Sequence, residues 1–153
     1  LEFRRVLFRS WSRRYIEQSR SWKSGSLHSE AYVANSEMLE QVLHIRPTDN
    51  VLCVLPMYHC FAWTCSVLNP LHSGAAITIL PSFAPKETID VIRTERVSVL
   101  YVVPSICSLL TKLASLEDIA SVRYVIIGGT TLPLQIARNF HLHTTSHHMV
   151  KMP

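Results

Sequence analysis

The hydrophobic positions of the chain cluster into four short apolar runs that begin 22 to 25 residues apart. The last three are rich in valine and isoleucine and almost continuous in apolarity, which is typical of strands buried on both faces. The spacing leaves room for one helix between successive strands. The runs are Val51–Leu55, Ala75–Leu80, Val97–Val103 and Val122–Ile127.

The segments around these runs have the period of amphipathic helices. Three helices are predicted to begin at a proline, whose fixed φ suits the first turn, and a fourth begins at a serine that can cap it. They run from Ser29 to about His44, from Pro85 through Lys86–Glu95, from Pro104 with Ile106, Leu109, Leu110 and Leu113 on one face, and from Pro133 with Ile136 and Phe140 one turn apart. Strands that alternate with helices predict an α/β fold, with a mainly parallel sheet, helices on both faces and right-handed crossovers.

The composition supports a folded domain. With 48% hydrophobic and 17% charged residues, the chain has enough apolar content for one compact core and too much for a disordered tail. Its 153 residues allow one domain or a piece of a larger one. No apolar run reaches 18 residues, so no transmembrane segment is predicted.

The two ends of the chain are expected to differ from its middle. Residues 1–10, LEFRRVLFRS, resemble a translated sequencing-library adapter, and we expect them to be an artefact. They carry three arginines and one glutamate, so without them the formal net charge of +4 falls to +2 and a nucleic-acid partner loses most of its support. We predict a degenerate lead-in at 11–24, a partial domain at 25–140 and a divergent tail at 141–153.

The cysteines and histidines do not form a recognisable metal motif. Cys53, Cys60, Cys65 and Cys107 contain no C-x-x-C pair, and most lie in apolar runs. Reduced, buried thiols in a cytoplasmic protein are therefore expected, with peripheral attachment to a membrane left open. A zinc site that includes His59, and one in the histidine tract 141–148, are weak alternatives, and no metal site is predicted.

Candidate chemistry follows the predicted strands, because ligands of parallel sheets bind at the carboxyl ends of the strands. The first strand leads into Pro56–Phe61, PMYHCF, and the fourth into GGTTLP at 128–133. A Gly-Gly turn lets backbone approach a ligand, and the N–H groups at a helix start suit phosphate. A tight turn without a ligand and a histidine with a purely structural role remain open at this point.

Four segments, taken in order, resemble the adenylate-forming acyl-CoA synthetase superfamily, and within it the fatty-acyl-CoA ligases. The resemblance implies that the chain is part of the large N-terminal domain of an enzyme that turns a carboxylic acid, with ATP and Mg²⁺, into an acyl-adenylate and then an acyl-CoA. It implies ATP, Mg²⁺ and CoA as cofactors, a fatty acid as substrate and the remainder of the same enzyme as partner. The segments are LPMYHCFAW, PLHSGAAITIL, FAPKETIDVIRTERVSVLYVVPSICSLL and SVRYVIIGGTTLP.

The resemblance also implies site residues. His59 matches an aromatic–histidine motif at the acyl and adenylate pocket. Phe61 and Cys65 lie four apart, so we expect both to contact the acyl chain from one helix face; ordinary helix–sheet packing is the alternative. The residues that match the nucleotide-binding Gly-Gly turn are Gly128, Gly129, Thr130 and Thr131, and those that match the tail of the phosphate loop are Gly25 and Ser29.

The chain departs from the family pattern at both ends. The serine- and threonine-rich phosphate loop is missing before Gly25, and HLHTTSHHMVKMP stands where a Tyr-Gly-x-Thr/Ser-Glu motif is expected. We therefore expect the chain by itself to be inactive, with no complete catalytic set. Two other functions stay open, an adenylating domain that loads a carrier-protein thiol and a non-catalytic α/β binding module.

Overall fold

A parallel sheet forms the centre of the fold. We describe a computed structural model of the protein, which covers residues 29–130, 133, 135 and 148–151. All strand pairs in the sheet are parallel, and the strand order is β2-β1-β3-β4-β5. The strands are β1 Asn50–Cys53, β2 Ala76–Ile79, β3 Val99–Val102, β4 Tyr124–Ile127 and β5 His148–Lys151.

The helices begin where the sequence signals predict. Proline occupies the first turn of α4 and of α5, and α1 begins at Ser29. α1 ends one residue before His44, whose φ of 47° lies in the left-handed region. The helices are α1 Ser29–Leu43, α2 Cys60–Ala62, a π-helix Trp63–Leu68, α3 Asn69–Ser73, α4 Pro85–Thr94 and α5 Pro104–Leu113.

The predicted α/β architecture is confirmed, and β5 is the main addition. β2, β3 and β4 lie within their apolar runs and are two or three residues shorter than the runs, whereas β1 begins at Asn50, one residue before its run. β5 pairs with β4 from His148 to Lys151, in a segment where the sequence analysis predicted no strand. The helix predicted from Pro133 with Ile136 and Phe140 lies outside the described residues, apart from positions 133 and 135.

Hydrophobic cores cover both faces of the sheet, because successive side chains of a strand point to opposite faces. Val51, Val99 and Tyr101 face α1 and the π-helix, whereas Leu52 and Leu100 face α4 and α5. This double coverage explains why the runs that contain β3 and β4 are continuous in apolarity, whereas β2 lies at the edge of the sheet and its Ile79 is 55% exposed. The most deeply buried strand residues are Val51, Leu52, Val99, Tyr101, Val102 and Ile126, each 0% exposed.

The strand order places a topological switch point between β1 and β3. From β1 the chain moves outward to β2 at one edge of the sheet, then crosses back to β3 on the other side of β1. The connection from β1 to β2 and the connection from β3 to β4 therefore leave the carboxyl ends of β1 and β3 in opposite directions. In open α/β sheets this divergence opens the crevice in which ligands bind.

An ion pair between a buried carboxylate and a partly exposed guanidinium belongs to a cluster that joins three strands at the opposite, amino-terminal edge of the sheet. Nη1 of Arg123, before β4, lies 2.7 and 2.6 Å from the two carboxylate oxygens of Asp49, before β1. The hydroxyl of Ser98, before β3, donates to the same carboxylate at 2.7 Å, and the amide of Arg46 donates at 2.7 Å. Asp49 is 3% exposed, so this cluster fixes the strands from within the fold.

The pKa of the Asp49 carboxyl reflects this environment. Burial by itself raises that pKa, but the hydrogen bonds from the Arg46 amide, the Ser98 hydroxyl and the Arg123 guanidinium together outweigh burial. The pKa of Asp49 is therefore held below its ordinary value. The carboxylate is ionised at neutral pH and forms a charge-assisted cluster far from the candidate site.

Candidate functional site

Turns that follow β1, β3 and β4 meet at the carboxyl-terminal edge of the sheet. The ring of Phe61 packs so closely on Gly128 that a Cβ at position 128 would lie 2.8 Å from two ring atoms. A Cβ on Gly129 would lie 3.4 Å from Cγ1 of Val103, which follows β3. The amide of Gly128 also donates to the carbonyl of Val102 at 3.2 Å. The structure thus brings the PMYHCF and Gly-Gly segments together at the switch point.

His59 is exposed and caps the helix that follows β1. Its backbone is extended, with φ −86° and ψ 133°, and its Nδ1 accepts a hydrogen bond from the amide of Phe61 at 3.3 Å. Nδ1 therefore carries no proton in this arrangement, and in the neutral ring the proton lies on Nε2. The cap orients the imidazole and leaves Nε2 for a bound molecule.

Phe61 forms a wall between the sheet and the Gly-Gly turn. It is half-buried, and its ring meets Tyr101 edge-on, with ring centroids 6.2 Å apart and an interplanar angle of 85°. Edge-to-face pairs of this kind are favourable beyond the area that they bury. Phe61 is thus held by Tyr101 on one side and by Gly128 on another.

Cys65 lies deeper than Phe61, within the core between the π-helix and the sheet. It is 2% exposed and belongs to the same cluster as Val51 and Tyr101. Burial, with a smaller contribution from Cys60, raises the pKa of the Cys65 thiol to about 12. The thiol is therefore a packing group and not a nucleophile, and its contact with an acyl chain stays a prediction.

The other cysteines follow the sequence expectation in part. Cys53 and Cys107 are buried like Cys65, and burial raises the pKa of both thiols, to about 11 for Cys107. The expectation of burial is wrong for Cys60, which is exposed. Cys60 is the first residue of α2, directly after the capping His59, so its side chain lies on the open side of the turn.

The remaining predicted site residues are described only in part. Gly129 has a φ of 89°, a left-handed conformation that favours glycine, and both Gly129 and Thr130 are exposed. A nucleotide-binding role for Gly128, Gly129 and Thr130 stays a prediction. Ser29 is the first residue of α1, whereas Gly25 and Thr131 lie outside the described residues, and a phosphate-loop role for Gly25 and Ser29 stays a prediction.

Sequence reasoning missed the buried pair beneath Phe61. The hydroxyl of Tyr101 donates to Oδ1 of Asn69 at 3.2 Å, and both side chains are buried. The sequence did contain a signal for this pair, because Tyr101 lies inside an apolar run and a buried tyrosine usually needs a hydrogen-bond partner. The partner, 32 residues away, was not identifiable without the sheet and helix positions.

The described residues do not provide a metal site. Within 29–130 and the short described pieces beyond, no three histidine, cysteine, aspartate or glutamate side chains are grouped to hold a metal ion. The described residues therefore offer no ligand set for Mg²⁺. Over the same part of the chain, no helix is long and apolar enough to cross a membrane.

Comparison with solved structures shows the same fold in larger proteins. Apo MatB from Rhodopseudomonas palustris matches with a TM-score of 0.81 at 22% identity, over 90% of this chain and 27% of that one. The N-terminal domain of FACL13 from Mycobacterium tuberculosis matches with a TM-score of 0.78 at 21% identity, over 90% of this chain and 34% of that one. At these identities the likeness concerns the fold.

Comparison of sequences identifies the family. The chain is 33% identical to 4-coumarate–CoA ligase 3 of Arabidopsis thaliana over 92 residues, which are 59% of this chain and 16% of the relative. The chain therefore spans about a sixth of the length of that relative. The model of the AMP-binding enzymes matches residues 25–152. Because this match covers most of the chain, the protein belongs to the AMP-binding enzyme family.

Proposed function

We propose that this chain is part of the N-terminal domain of an ATP-dependent acid–CoA ligase. The observation that carries the proposal is the contact of Phe61 with Gly128, because it joins the turns after β1 and β4 at one crevice. An apolar wall beside a turn in which Gly129 and Thr130 are exposed suits a ligand with an apolar tail and a nucleotide at its carboxylate. The curated relatives are CoA ligases, which favours CoA over a carrier-protein thiol as acceptor.

In this proposal each described residue has a physical task. Phe61 packs against the apolar tail of the acid, where burial of each methylene stabilises the complex by about 0.8 kcal/mol. Nε2 of His59 hydrogen-bonds the reacting carboxylate region, while Nδ1 holds the ring to the helix start. Gly128, Gly129 and Thr130 border the nucleotide. ATP, held with Mg²⁺ by the complete enzyme, provides AMP as the leaving group that makes a carboxylate reactive.

The acid is proposed as a class with an apolar tail. The sequence resemblance favours a fatty acid, whereas the curated relatives act on 4-coumarate, as their names state. An aromatic wall such as Phe61 over Tyr101 contacts an alkyl chain and an aryl ring equally well. We therefore propose that substrates include both classes and that their relative rates report the width of the pocket.

The proposal is tested on the complete enzyme that contains this segment. With ATP, Mg²⁺ and a panel of alkyl and aryl acids, we expect acid-dependent pyrophosphate release and formation of an acyl-CoA. Pyrophosphate release without consumption of CoA would instead support transfer to a carrier-protein thiol. No release with any acid would support a non-catalytic binding module. The 153-residue chain alone is expected to release none.

Substitution of His59 tests separately the helix-capping role of Nδ1 and the proposed substrate contact of Nε2. Asparagine retains a side-chain acceptor for the helix start, whereas alanine removes it, at a cost of about 1 kcal/mol in stability. We expect both His59→Asn and His59→Ala to lower kcat/KM for the acid by about 100-fold, the scale of one positioned hydrogen-bond donor. Thermal melting should separate the variants, with only His59→Ala destabilised. Full activity of His59→Asn would show that Nε2 has no part in the reaction.

A further inference from the structure

A buried polar pair connects the helix after β1 to the centre of the sheet. Tyr101 in β3 and Asn69, the first residue of α3, are both 0% exposed. The Tyr101 hydroxyl donates to Oδ1 of Asn69 at 3.2 Å, and Nδ2 of Asn69 donates to the carbonyl of Ser36 in α1 at 3.3 Å. One side chain therefore ties together two helices and a strand.

The same tyrosine ring supports the wall of the candidate pocket. The ring of Tyr101 contacts Phe61 edge-to-face, with 6.2 Å between the ring centroids, and Phe61 in turn packs on Gly128. Asn69 also stands where the π-helix ends, with its amide bonded to the carbonyl of Thr64. A π-helical turn inside a helix is frequently found at functional sites. The contacts form a continuous series from Asn69 through Tyr101 and Phe61 to Gly128.

The hydroxyl of Tyr101 is not needed to fill space. A phenylalanine would occupy nearly the same volume without a buried polar group that requires a partner. The hydroxyl instead fixes the position of the Tyr101 ring, because its hydrogen bond to Asn69 limits how far the ring can shift. An edge-to-face pair depends on that placement, so the tilt of Phe61 follows from the bond between Tyr101 and Asn69.

We propose that Asn69 and Tyr101 are positioning residues that hold Phe61 against Gly128 and thereby set which acids fit the pocket. The inference rests on the proposed function. Neither residue touches the substrate, and both act through the ring of Phe61. Loss of the hydrogen bond between Tyr101 and Asn69 lets Phe61 tilt away from Gly128. The pocket then becomes wider and binds slender alkyl acids more weakly.

The test compares acid selectivity in the complete enzyme. In Tyr101→Phe, we expect the ratio of kcat/KM for an aryl acid to that for a slender alkyl acid to rise about tenfold, the scale of one misfitted methylene. Asn69→Ala removes the acceptor and should give the same direction of change. The KM for ATP should stay at the wild-type value in both variants, because neither Asn69 nor Tyr101 is among the residues proposed to border the nucleotide.

Ser98→Ala is the matched control. It also removes a buried hydroxyl with a hydrogen bond, but at the opposite edge of the sheet, where Ser98 donates to Asp49. We expect it to lower the melting temperature and leave acid selectivity unchanged. If Tyr101→Phe behaves like Ser98→Ala, the role of Tyr101 is only structural and the inference is overturned.

A second measurement does not depend on turnover. With 4-fluorophenylalanine at position 61 of the complete enzyme, the fluorine resonance should shift or broaden in Tyr101→Phe and stay unchanged in Ser98→Ala. An unchanged resonance in Tyr101→Phe would refute the positioning role even in an active enzyme. A wild-type enzyme without acid-dependent pyrophosphate release would refute the proposed function, and the inference about acids with it.

Discussion

Replacing Arg123 by leucine is expected to lower the free energy of unfolding by about 3–5 kcal/mol. The variant leaves the Asp49 carboxylate buried at 3% exposure without its counterion, and only Ser98 and the amide of Arg46 still donate to it. Although the Arg123 side chain is itself 29% exposed, its removal is costly because the Asp49 charge stays desolvated. Urea denaturation of the complete enzyme and its variant at neutral pH measures the difference.

The control is Arg93→Leu. Arg93 pairs with Asp90 at 2.9 Å, but its side chain is 58% exposed, and solvent screens the pair. We expect a loss of at most about 0.5 kcal/mol for this variant. Equal destabilisation by Arg93→Leu and Arg123→Leu would contradict the claim that the Asp49 cluster holds the amino-terminal edge of the sheet.

The pH dependence of stability gives a further check on the same cluster. Because the folded pKa of Asp49 is depressed, its stabilising contribution is present above the unfolded pKa of about 3.9 and is lost as pH falls through the folded pKa. In Arg123→Leu the folded pKa rises, because one hydrogen bond and the charge of the guanidinium are lost. Stability of the variant should then fall less steeply between neutral and acidic pH than that of the wild type.

Local signals predicted most of the secondary structure. Proline in the first turn fixed the starts of α4 and α5, since a proline there loses no hydrogen bond and already has a helical φ. The continuous apolar runs predicted strands buried on both faces, which β3 and β4 confirm. The expectation is wrong for β2, which lies at the edge of the sheet and has both of its end residues exposed. These signals depend only on neighbours in the sequence.

Features that depend on tertiary contacts were not predictable in the same way. Asp49 and Arg123 are 74 residues apart, and only the order of the strands brings them together. The π-helix at Trp63–Leu68 was not predicted, although Phe61 and Cys65, which were expected on one helix face, do pack in the same cluster. β5 lies in a polar, histidine-rich tail, and its strand conformation depends on the neighbouring β4.

The sequence predicted where the candidate site lies but not which side chains contact each other there. The rule that ligands bind at carboxyl ends of strands selected the segments that contain His59 and Gly128. It could not show that a phenylalanine ring, and not the histidine, makes the contact with the glycine turn. That contact depends on side-chain packing. Because Phe61 packs so closely on Gly128, any side chain added at position 128 is expected to clash with the ring.

Gly128→Ala is expected to destabilise the protein by about 1–3 kcal/mol and to displace Phe61. The added Cβ would lie 2.8 Å from Cε2 and from Cζ of Phe61, closer than any tolerated contact. A ring displaced by the added methyl would disturb its edge-to-face contact with Tyr101. Activity on slender alkyl acids should fall together with stability. Thermal melting and kcat/KM of the complete enzyme measure both effects.

The double variant Phe61→Leu/Gly128→Ala separates steric conflict from other causes. If the clash is with the ring, the double variant should recover stability relative to Gly128→Ala, with a coupling energy within about 0.5–3 kcal/mol. Gly129→Ala is the control, because its cost comes from a φ of 89° and not from Phe61. Phe61→Leu should therefore not rescue Gly129→Ala. Equal rescue of both glycine variants, or of neither, would show that Phe61 does not rest on Gly128 in the working enzyme.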